Sequence, residues 1–252
     1  MTEFKKDKLD VKIADSRAAM GDIAGRDIAD CILRLQKEKD EINIIFAAAP
    51  SQNETLAKLL TVQEIDWSKI NAFHMDEYIG LAEDAPQRFG NFLKEAIFGR
   101  VPFKSVHYIN GGAEDIAAEC ARYSALLAKY PTDIVCLGIG ENGHIAFNDP
   151  PVADFNDAAV IKPVQLDEIC RHQQVNDGCF KTIDEVPTHA LTLTVPTLYK
   201  ADYLFCSVPA ATKATAVYAM LHDDISEKCP ATILRRHDHA VLYCDPDSAA
   251  RL

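Results

Sequence analysis

Residues 133–150 read DIVCLGIGENGHIAFNDP, and this stretch decides the fold. Its first part, Ile134 to Leu137, is a short apolar run, which is typical of a parallel strand buried on both faces of a sheet. Glycines and polar residues follow at once, among them His144 and Asp149. Open α/β sheets bind their ligands beyond the carboxyl ends of the strands, so we expect these polar residues to carry chemistry.

Apolar and polar segments alternate in a strand and helix rhythm on both sides of this stretch. Helices are predicted where apolar residues recur at helical spacing, and strands where short β-branched runs end in turn residues. The predicted strands are 42–49, 70–74, 106–109, 134–137, 190–195, 203–208 and 240–244, and the predicted helices are 16–39, 51–60, 89–98, 114–129 and 211–221. This alternation favours an α/β protein with a mainly parallel sheet and helices on both faces.

Two local patterns add detail to this rhythm. Ser51-Gln52-Asn53-Glu54 has the form of a capping box, which predicts Ser51 as the N-cap of a helix and Glu54 as its reciprocal partner. Between 151 and 188 the rhythm is lost in polar, broken sequence. We interpret this segment as a lid or subdomain laid over the sheet.

Composition limits the classes of function. The 252 residues are 48% hydrophobic and 25% charged, which is typical of a folded protein of one large or two small domains. The net charge of −12, with scattered basic residues, argues against nucleic acid or an anionic membrane as partner. An anionic substrate would need a locally positive pocket.

The sequence also predicts a cellular location, from its N-terminal residues, its apolar runs and its cysteines. The N-terminal residues MTEFKKDKLD have no apolar signal core, and no apolar run approaches the length of a membrane span. None of the eight cysteines forms a C-x-x-C pair, which argues against a zinc site or a disulfide framework. We therefore expect a protein of the reducing cytoplasm.

The segment from Gly138 to Gly143 fits the G-x-G-x-x-G pattern of dinucleotide-binding proteins. That fingerprint requires a helix immediately afterwards to receive the pyrophosphate, whereas HIAFNDPP contains two prolines and little helical periodicity. We interpret the glycines instead as residues that let the backbone turn sharply and expose His144.

His144 has Asn142 two positions before it and Asp149 five positions after it. A carboxylate beside an imidazole fixes its tautomer and raises its basicity, as general acid–base catalysis requires. A lone histidine more often has a structural role. The pattern by itself therefore only suggests a catalytic role for His144.

Asp76 and Glu77 follow the predicted strand 70–74. They form either a solvated acidic turn or a carboxylate base above the sheet edge. Acidic and imidazole groups at the ends of two parallel strands suggest proton transfer on a small polar metabolite. The residue types alone leave an isomerase, a hydrolase and a non-catalytic ligand-binding module open.

Two loops together resemble the signature segments of the glucosamine-6-phosphate deaminase family: FHMDEYIGL at 73–81 and GIGENGHIAFNDP at 138–150. The likeness continues through VPTHALTLTVPTL, ATKATAV and CPATILRRHDHAVLYCD. The related 6-phosphogluconolactonases share the fold but usually have a different acidic motif, so they are the second choice. The resemblance implies a modified Rossmann-like fold and a single domain of residues 1–252.

The resemblance also implies a reaction without metal or cofactor, in which an amino-sugar phosphate is opened, isomerised to a ketose phosphate and releases ammonia. Asp76 matches the general base that moves a proton between C2 and C1. His144 matches the residue that opens the sugar ring, and Asn142 and Asp149 match its supporting partners. Many members have glutamate where this chain has Asp149, so we expect the contact with His144 to need a small loop shift or a water.

Departures from the family concentrate on the phosphate side. The family's T-G-S-T-P loop corresponds to residues 49–53, which keep only Ser51. A family arginine corresponds to Gly178, with Arg171 as the candidate substitute, and Lys213 matches the remaining phosphate lysine. Losing a bidentate arginine–phosphate contact costs about 2 to 3 kcal/mol of binding. Proton transfer is thus expected to be intact and substrate recognition altered.

The sequence therefore predicts an amino-sugar-phosphate isomerase and deaminase with a small-molecule sugar phosphate as its partner. A non-catalytic sugar-phosphate-binding or regulatory homologue and a 6-phosphogluconolactonase-like hydrolase are the alternatives. The identity of the amino sugar, the need for its phosphate and the oligomeric state, a homo-oligomer included, stay open.

Overall fold

A computed structural model describes all residues from Met1 to Leu252. The strands are β1 Thr2–Lys6, β2 Leu9–Ile13, β3 Ile42–Phe46, β4 Ile70–His74, β5 Asp76–Tyr78, β6 Ser105–His107, β7 Ile134–Leu137, β8 Ile161–Gln165, β9 His189–Leu193, β10 Tyr203–Val208 and β11 Ala240–Cys244. The α-helices are α1 Arg17–Glu38, α2 Asn53–Leu59, α3 Phe89–Leu93, α4 Ile116–Lys129, α5 Glu168–Asn176, α6 Val195–Tyr199 and α7 Ala214–His222. None of these helices is both long enough and apolar enough to span a membrane.

Eight strands form the main sheet, in the order β1-β2-β11-β10-β7-β3-β4-β6. All neighbouring strands in this sheet are parallel except β1 and β2. From β3 the chain proceeds outwards to β4 and β6, whereas from β7 it proceeds to β10 and β11 on the other side. The order therefore reverses between β3 and β7, which is where open α/β sheets bind ligands. The predicted fold class is confirmed.

Strand β7 is buried on both faces, as its sequence predicted. Ile134 and Cys136 belong to one apolar cluster, which also contains the buried side chains of α1 and α2. Val135 and Leu137 belong to a second cluster, with the buried side chains of α4 and α7. Alternate residues of one strand thus face two helical layers, because successive side chains of a strand point to opposite sides.

The prediction that residues 190–195 continue the parallel sheet is wrong. Strand β9 pairs antiparallel with β5 on one side and β8 on the other, in a separate sheet of three strands. Ala190, Leu191 and Leu193 of this strand are apolar and buried, and burial favours such residues in either kind of sheet. The small sheet carries Asp76 on β5, and β8 and α5 lie within the predicted lid segment 151–188.

The capping box predicted at Ser51 is also wrong. Ser51 lies in a 3₁₀ turn, Pro50–Gln52, and α2 has no side-chain cap. Glu54 instead accepts a hydrogen bond from Nε of Arg17 at 2.7 Å. The guanidinium offers the carboxylate an opposite charge and two N–H donors, whereas a backbone N–H offers one uncharged donor, so Glu54 pairs with Arg17 and not with the cap.

The N-terminal hairpin of β1 and β2 was not predicted. Charged residues alternate with apolar ones in β2, whereas β1 is mostly exposed and has Phe4 as its one apolar residue. Asp7 in the turn has a φ of +53°. Strand β2 pairs in parallel with β11, and this pairing places the hairpin at the edge of the main sheet.

Close packing of α1 on α2 yields a prediction about stability. A Cβ added to Gly21 would lie 2.2 Å from Cβ of Glu54. Overpacking typically costs about 1–3 kcal/mol, and alanine returns at most about 1 kcal/mol of helix propensity. We expect Gly21→Ala to lower the free energy of unfolding by roughly 1–2 kcal/mol in urea titrations.

Gly112→Ala is the control, because its added Cβ would meet nothing closer than Asn110 Oδ1 at 3.5 Å. An unfolding midpoint for Gly21→Ala equal to that of the wild type would show that the two helices are not held this closely.

Candidate active site

One cavity opens at the switch point of the main sheet. It is lined by residues that follow β3, β4, β7 and β10, together with residues of α1 and of the lid helix α5. The polar lining residues are Arg17, Ser51, Asp76, His144, Gln173, Gln174, Asp177, Thr212 and Lys213. The structure thus brings Asp76, His144, Ser51 and Lys213 to this one cavity.

The glycines after β7 serve the shape of this loop. A Cβ on Gly140 would lie 2.1 Å from Cε1 of His144, so only glycine lets the imidazole rest against the backbone here. Gly143 has a φ of +80°, which side chains rarely adopt. The next regular element after β7 is β8, and no helix follows the glycines to receive a pyrophosphate.

His144, Asn142 and Asp149 form one connected group. Nδ1 of His144 lies 2.8 Å from Oδ1 of Asp149, and Nδ2 of Asn142 donates to the same oxygen at 2.8 Å. Asn142 also accepts the backbone N–H of His144 through Oδ1 at 3.1 Å. The shorter side chain of Asp149 therefore comes within direct reach of the imidazole.

This group keeps Asp149 ionised. Burial alone would raise the pKa of the Asp149 carboxyl, but the contacts with His144 and Asn142 outweigh it and hold the pKa below its usual value. This carboxylate orients the imidazole, so His144 is placed to take and return a proton.

The thiol of Cys170, on α5, is close to this group. The potential ligand atoms of His144, Asp149 and Cys170 all lie within 4.8 Å of one another. A metal would need the thiolate, whereas burial raises the pKa of Cys170 well above its ordinary value. The geometry therefore fits a polar network better than a metal centre, and a reaction without metal stays a prediction.

Asp76 is the second chemical group of the cavity. Its side chain is buried, and its carboxyl oxygens form no hydrogen bond within the protein. Burial, followed by the negative charge of Glu77, raises the pKa of the Asp76 carboxyl well above its usual value. Such a carboxylate is a stronger base than one in water.

Glu77 has a structural role. Its carboxylate accepts the backbone N–H groups of Tyr78, Phe89 and Gly90 at 2.9 to 3.1 Å. These bonds fasten β5 to the start of α3. Of the acidic pair, Asp76 alone lines the cavity.

His74 holds the backbone of Asp76 and was missed by the sequence analysis. Its Nδ1 lies 2.9 Å from the carbonyl oxygen of Asp76, and its Nε2 accepts the N–H of Ile109 at 2.9 Å. Burial lowers the pKa of His74 to about 4, so the ring is neutral at physiological pH and Nδ1 carries the proton. This neutral imidazole supports the corner at which the chain passes from β4 to β5.

Lys213 is a buried cation at the cavity. Its side chain lies in a residue only 5% exposed and has no hydrogen bond or ion pair with the protein. Burial lowers the pKa of Lys213, partly opposed by the charges of Asp177 and Glu141. An unpaired buried cation is costly, and an anion bound in the cavity would relieve that cost.

Ser51 lies on a loop that is tied to the sheet. Its Oγ accepts a hydrogen bond from Nε2 of Gln52 at 3.1 Å, and the same nitrogen donates to the carbonyl oxygen of Leu137 at 3.1 Å. The end of β7 thus holds the loop that replaces the family's glycine-rich segment.

The structure does not bring Arg171 to the cavity, so the predicted contact of Arg171 with a phosphate is not formed. Its Nη2 donates to the carbonyl oxygens of Ile183 at 2.7 Å and Val186 at 2.9 Å. The guanidinium satisfies backbone acceptors of the lid instead.

Gly178 owes its identity to the backbone. It follows the end of α5, donates its N–H to the carbonyl of Val175 and has a φ of +75°. Glycine is the usual residue at this position after a helix.

Three residues of the lid helix region line the cavity and were also missed. Oε1 of Gln173 accepts the N–H of Glu141 at 2.8 Å, and Oε1 of Gln174 accepts the hydroxyl of Tyr78 at 2.8 Å. Nε2 of Gln173 approaches Oδ2 of Asp177 at 3.3 Å. The pair of adjacent glutamines was the signal that the sequence offered for these residues. The direction in which their side chains point became clear only from the structure.

Comparison with known proteins shows the family of the chain. The family model of "Glucosamine-6-phosphate isomerases/6-phosphogluconolactonase" matches residues 15–243, and the chain belongs to this family. Among its relatives is the glucosamine-6-phosphate deaminase of Bacillus cereus strain G9842, 38% identical over 185 residues, which are 73% of this chain and 69% of that protein. The corresponding deaminase of Bacillus anthracis strain CDC 684 is 37% identical over the same shares.

Solved structures resemble the whole chain. One described as a monomeric glucosamine-6-phosphate deaminase superposes with a TM-score of 0.86 at 30% identity, covering 96% of this chain and 99% of that one. The 6-phosphogluconolactonase of Trypanosoma brucei superposes with a TM-score of 0.77 at 18% identity, covering 100% of both chains, and shows a shared fold.

The raised pKa of Asp76 predicts that this residue destabilises the folded protein. The folded state binds the proton of Asp76 more tightly than the unfolded state, so this contribution lowers the free energy of unfolding as pH rises above the ordinary aspartate value. We expect Asp76→Asn to melt a few degrees higher than the wild type at pH 7.5.

The difference in melting temperature should shrink as pH falls towards 3.8, the ordinary aspartate pKa, because Asp76 is protonated in both states only below that pH. Asp30→Asn, at an exposed position of α1, serves as the control and should leave the melting temperature unchanged. A lower melting temperature for Asp76→Asn at pH 7.5 would mean that burial of the carboxylate is not costly.

Proposed function

We propose that this chain is an amino-sugar-phosphate isomerase and deaminase, which converts glucosamine 6-phosphate, or a close analogue, and water into fructose 6-phosphate and ammonia. The observation that carries the proposal is a cavity with two different proton carriers and an unpartnered cation. Asp76 and His144 supply the proton carriers, and Lys213 supplies the cation.

Ring opening is assigned to His144. A cyclic sugar opens when the hydroxyl at C1 loses a proton and the ring oxygen gains one. The imidazole carries this proton, and Asp149 holds the ring in position while it does so. Asn142 holds the carboxylate that orients the imidazole.

Isomerisation is assigned to Asp76. Its carboxylate takes the proton from C2 of the open-chain sugar and returns it to C1, by way of a planar intermediate in which C1 and C2 share a double bond. The carbonyl oxygen at C1 gains a proton and the amine at C2 loses one, so C1 becomes an alcohol and the amine becomes an imine. Water adds to C2, ammonia leaves, and a ketose phosphate remains, so that every atom of sugar and water is accounted for.

The geometry supports an enzyme more strongly than a binding module. A pure binding site gains nothing from a buried carboxylate with a raised pKa, which costs stability and binds no cation of the protein. The non-catalytic homologue and the lactonase are tested as outcomes. A binding homologue would give heat in calorimetry with fructose 6-phosphate but release no ammonia from any amino-sugar phosphate, and a lactonase would hydrolyse 6-phosphogluconolactone.

We also propose the cytoplasm as the site of action and a sugar phosphate as the partner molecule. All eight cysteines are free, which supports a reducing compartment. Light scattering of the purified protein would determine its oligomeric state.

Replacing Asp76 should abolish turnover without loss of the fold. We expect Asp76→Asn to reduce ammonia release from glucosamine 6-phosphate by about 10²- to 10⁴-fold, the usual contribution of general acid–base catalysis. Asp30→Asn, on the surface of α1, should retain full activity. Turnover at the wild-type rate by folded Asp76→Asn would remove Asp76 from the role of base.

The pH dependence of the reaction should change when the charge of Glu77 is removed. The active base is ionised, so activity falls as pH drops through the raised pKa of Asp76. Glu77→Gln removes a negative charge that raises this pKa, and its amide oxygen can still accept the N–H groups of Tyr78 and Phe89, which share one oxygen of the carboxylate. The acid limb of the kcat/KM profile should therefore move to lower pH. A limb that stays in place, or moves to higher pH, would contradict the assignment of Asp76.

A further inference from the structure

The cavity contains a second candidate cation, Arg17, the first residue of α1. Nothing in the sequence pattern marked it, because it lies far from both signature loops. Its surroundings distinguish it from an ordinary surface arginine.

The guanidinium of Arg17 is held in place from one side. Nε and Nη2 donate to the two carboxylate oxygens of Glu54 at 2.7 and 3.2 Å, and Nη2 also donates to the carbonyl oxygen of Pro50 at 2.8 Å. Nη1 has no acceptor in the protein, so two N–H donors of this fork remain for a ligand.

The packing of α1 on α2 fixes this arrangement. Gly21 lets Glu54 approach α1 closely, since an added Cβ would lie 2.2 Å from Cβ of Glu54. Ser16 caps α1 by accepting the N–H of Ala19 at 3.1 Å. The first turn of α1 therefore stands beside the loop that carries Pro50 and Ser51.

A second, independent observation points to an anion in the same cavity. Lys213 is buried without any protein acceptor. A phosphate monoester carries a charge of about −1.5 to −2 at neutral pH, more than one ammonium group balances. Gly178 offers no side chain, and Arg171 does not line the cavity.

We propose that Arg17 is the second cation of the phosphate subsite and determines the preference for a phosphorylated sugar. Lys213 contributes a point charge, and Arg17 contributes the directional N–H groups of Nη1. This inference rests on the proposed function, because it takes the ligand of the cavity to be a sugar phosphate.

Glu54 moderates the subsite. It neutralises part of the charge of Arg17 while holding the guanidinium in place. Removal of the charge of Glu54 should therefore strengthen the binding of a phosphate, whereas removal of the charge of Arg17 should weaken it. These opposite signs separate a binding role from a merely structural one.

Calorimetry with fructose 6-phosphate and with fructose tests the proposal without requiring turnover. Arg17→Gln should weaken the binding of fructose 6-phosphate by about 10- to 100-fold and leave the weak binding of fructose unchanged. Glu54→Gln should bind fructose 6-phosphate at least as tightly as the wild type. Arg26→Gln, at an exposed position on the same helix, is the matched control and should change neither affinity.

An unchanged affinity of Arg17→Gln for fructose 6-phosphate would overturn the proposal. If Arg17→Gln does not fold, an affinity of Glu54→Gln below that of the wild type would overturn it instead. The ammonia assay is separate: wild type that binds fructose 6-phosphate through Arg17 but releases no ammonia would refute the proposed function and leave the subsite standing.

Discussion

The parallel pairing of β7 with β3 on one side and β10 on the other is the constraint on which the site depends. Phe46 of β3 lies opposite Cys136, and Cys206 of β10 lies opposite Leu137, so the three strands end near one edge. The loops that carry Ser51, His144 and Lys213 leave from this edge. The main chain, more than any contact between the side chains themselves, therefore brings the chemical groups together.

Several groups of the site lower the stability of the folded protein. Residues outside the site must therefore supply the stability that holds it in place. Asp76 and Lys213 are buried charges without a protein partner, and Ala210, just before Lys213, has a φ of +85°. Strained residues of this kind cost about 1–3 kcal/mol each. The carboxylate of Asp245 accepts the N–H of Ala210 at 3.1 Å and so holds the strained turn. The two apolar layers around the main sheet supply the remaining stability.

The sequence predicted those features that depend on residues close together in the chain. The apolar run of β7 and its glycines located the strand and the loop of His144, because burial on two faces and sharp turns have clear signatures. Strand β9 pairs with β5 and β8, and Arg17 pairs with Glu54, across segments far apart in the chain. The spacing of residues in the sequence therefore did not indicate these contacts. Arg171 was assigned to the cavity by its sequence position, yet it does not line the cavity, and its Nη2 donates to backbone acceptors within its own lid.

The chemistry proposed here requires one carbohydrate to reach both Asp76 and His144. A crystal structure with an open-chain amino-sugar alcohol 6-phosphate tests this requirement most directly. We expect its C1 and C2 atoms at about 3–3.5 Å from the Asp76 carboxyl, the separation of a reactive geometry, with the phosphate against Lys213. An analogue bound outside the cavity, or one whose C1 and C2 lie beyond reach of Asp76, would contradict the assignment of the site.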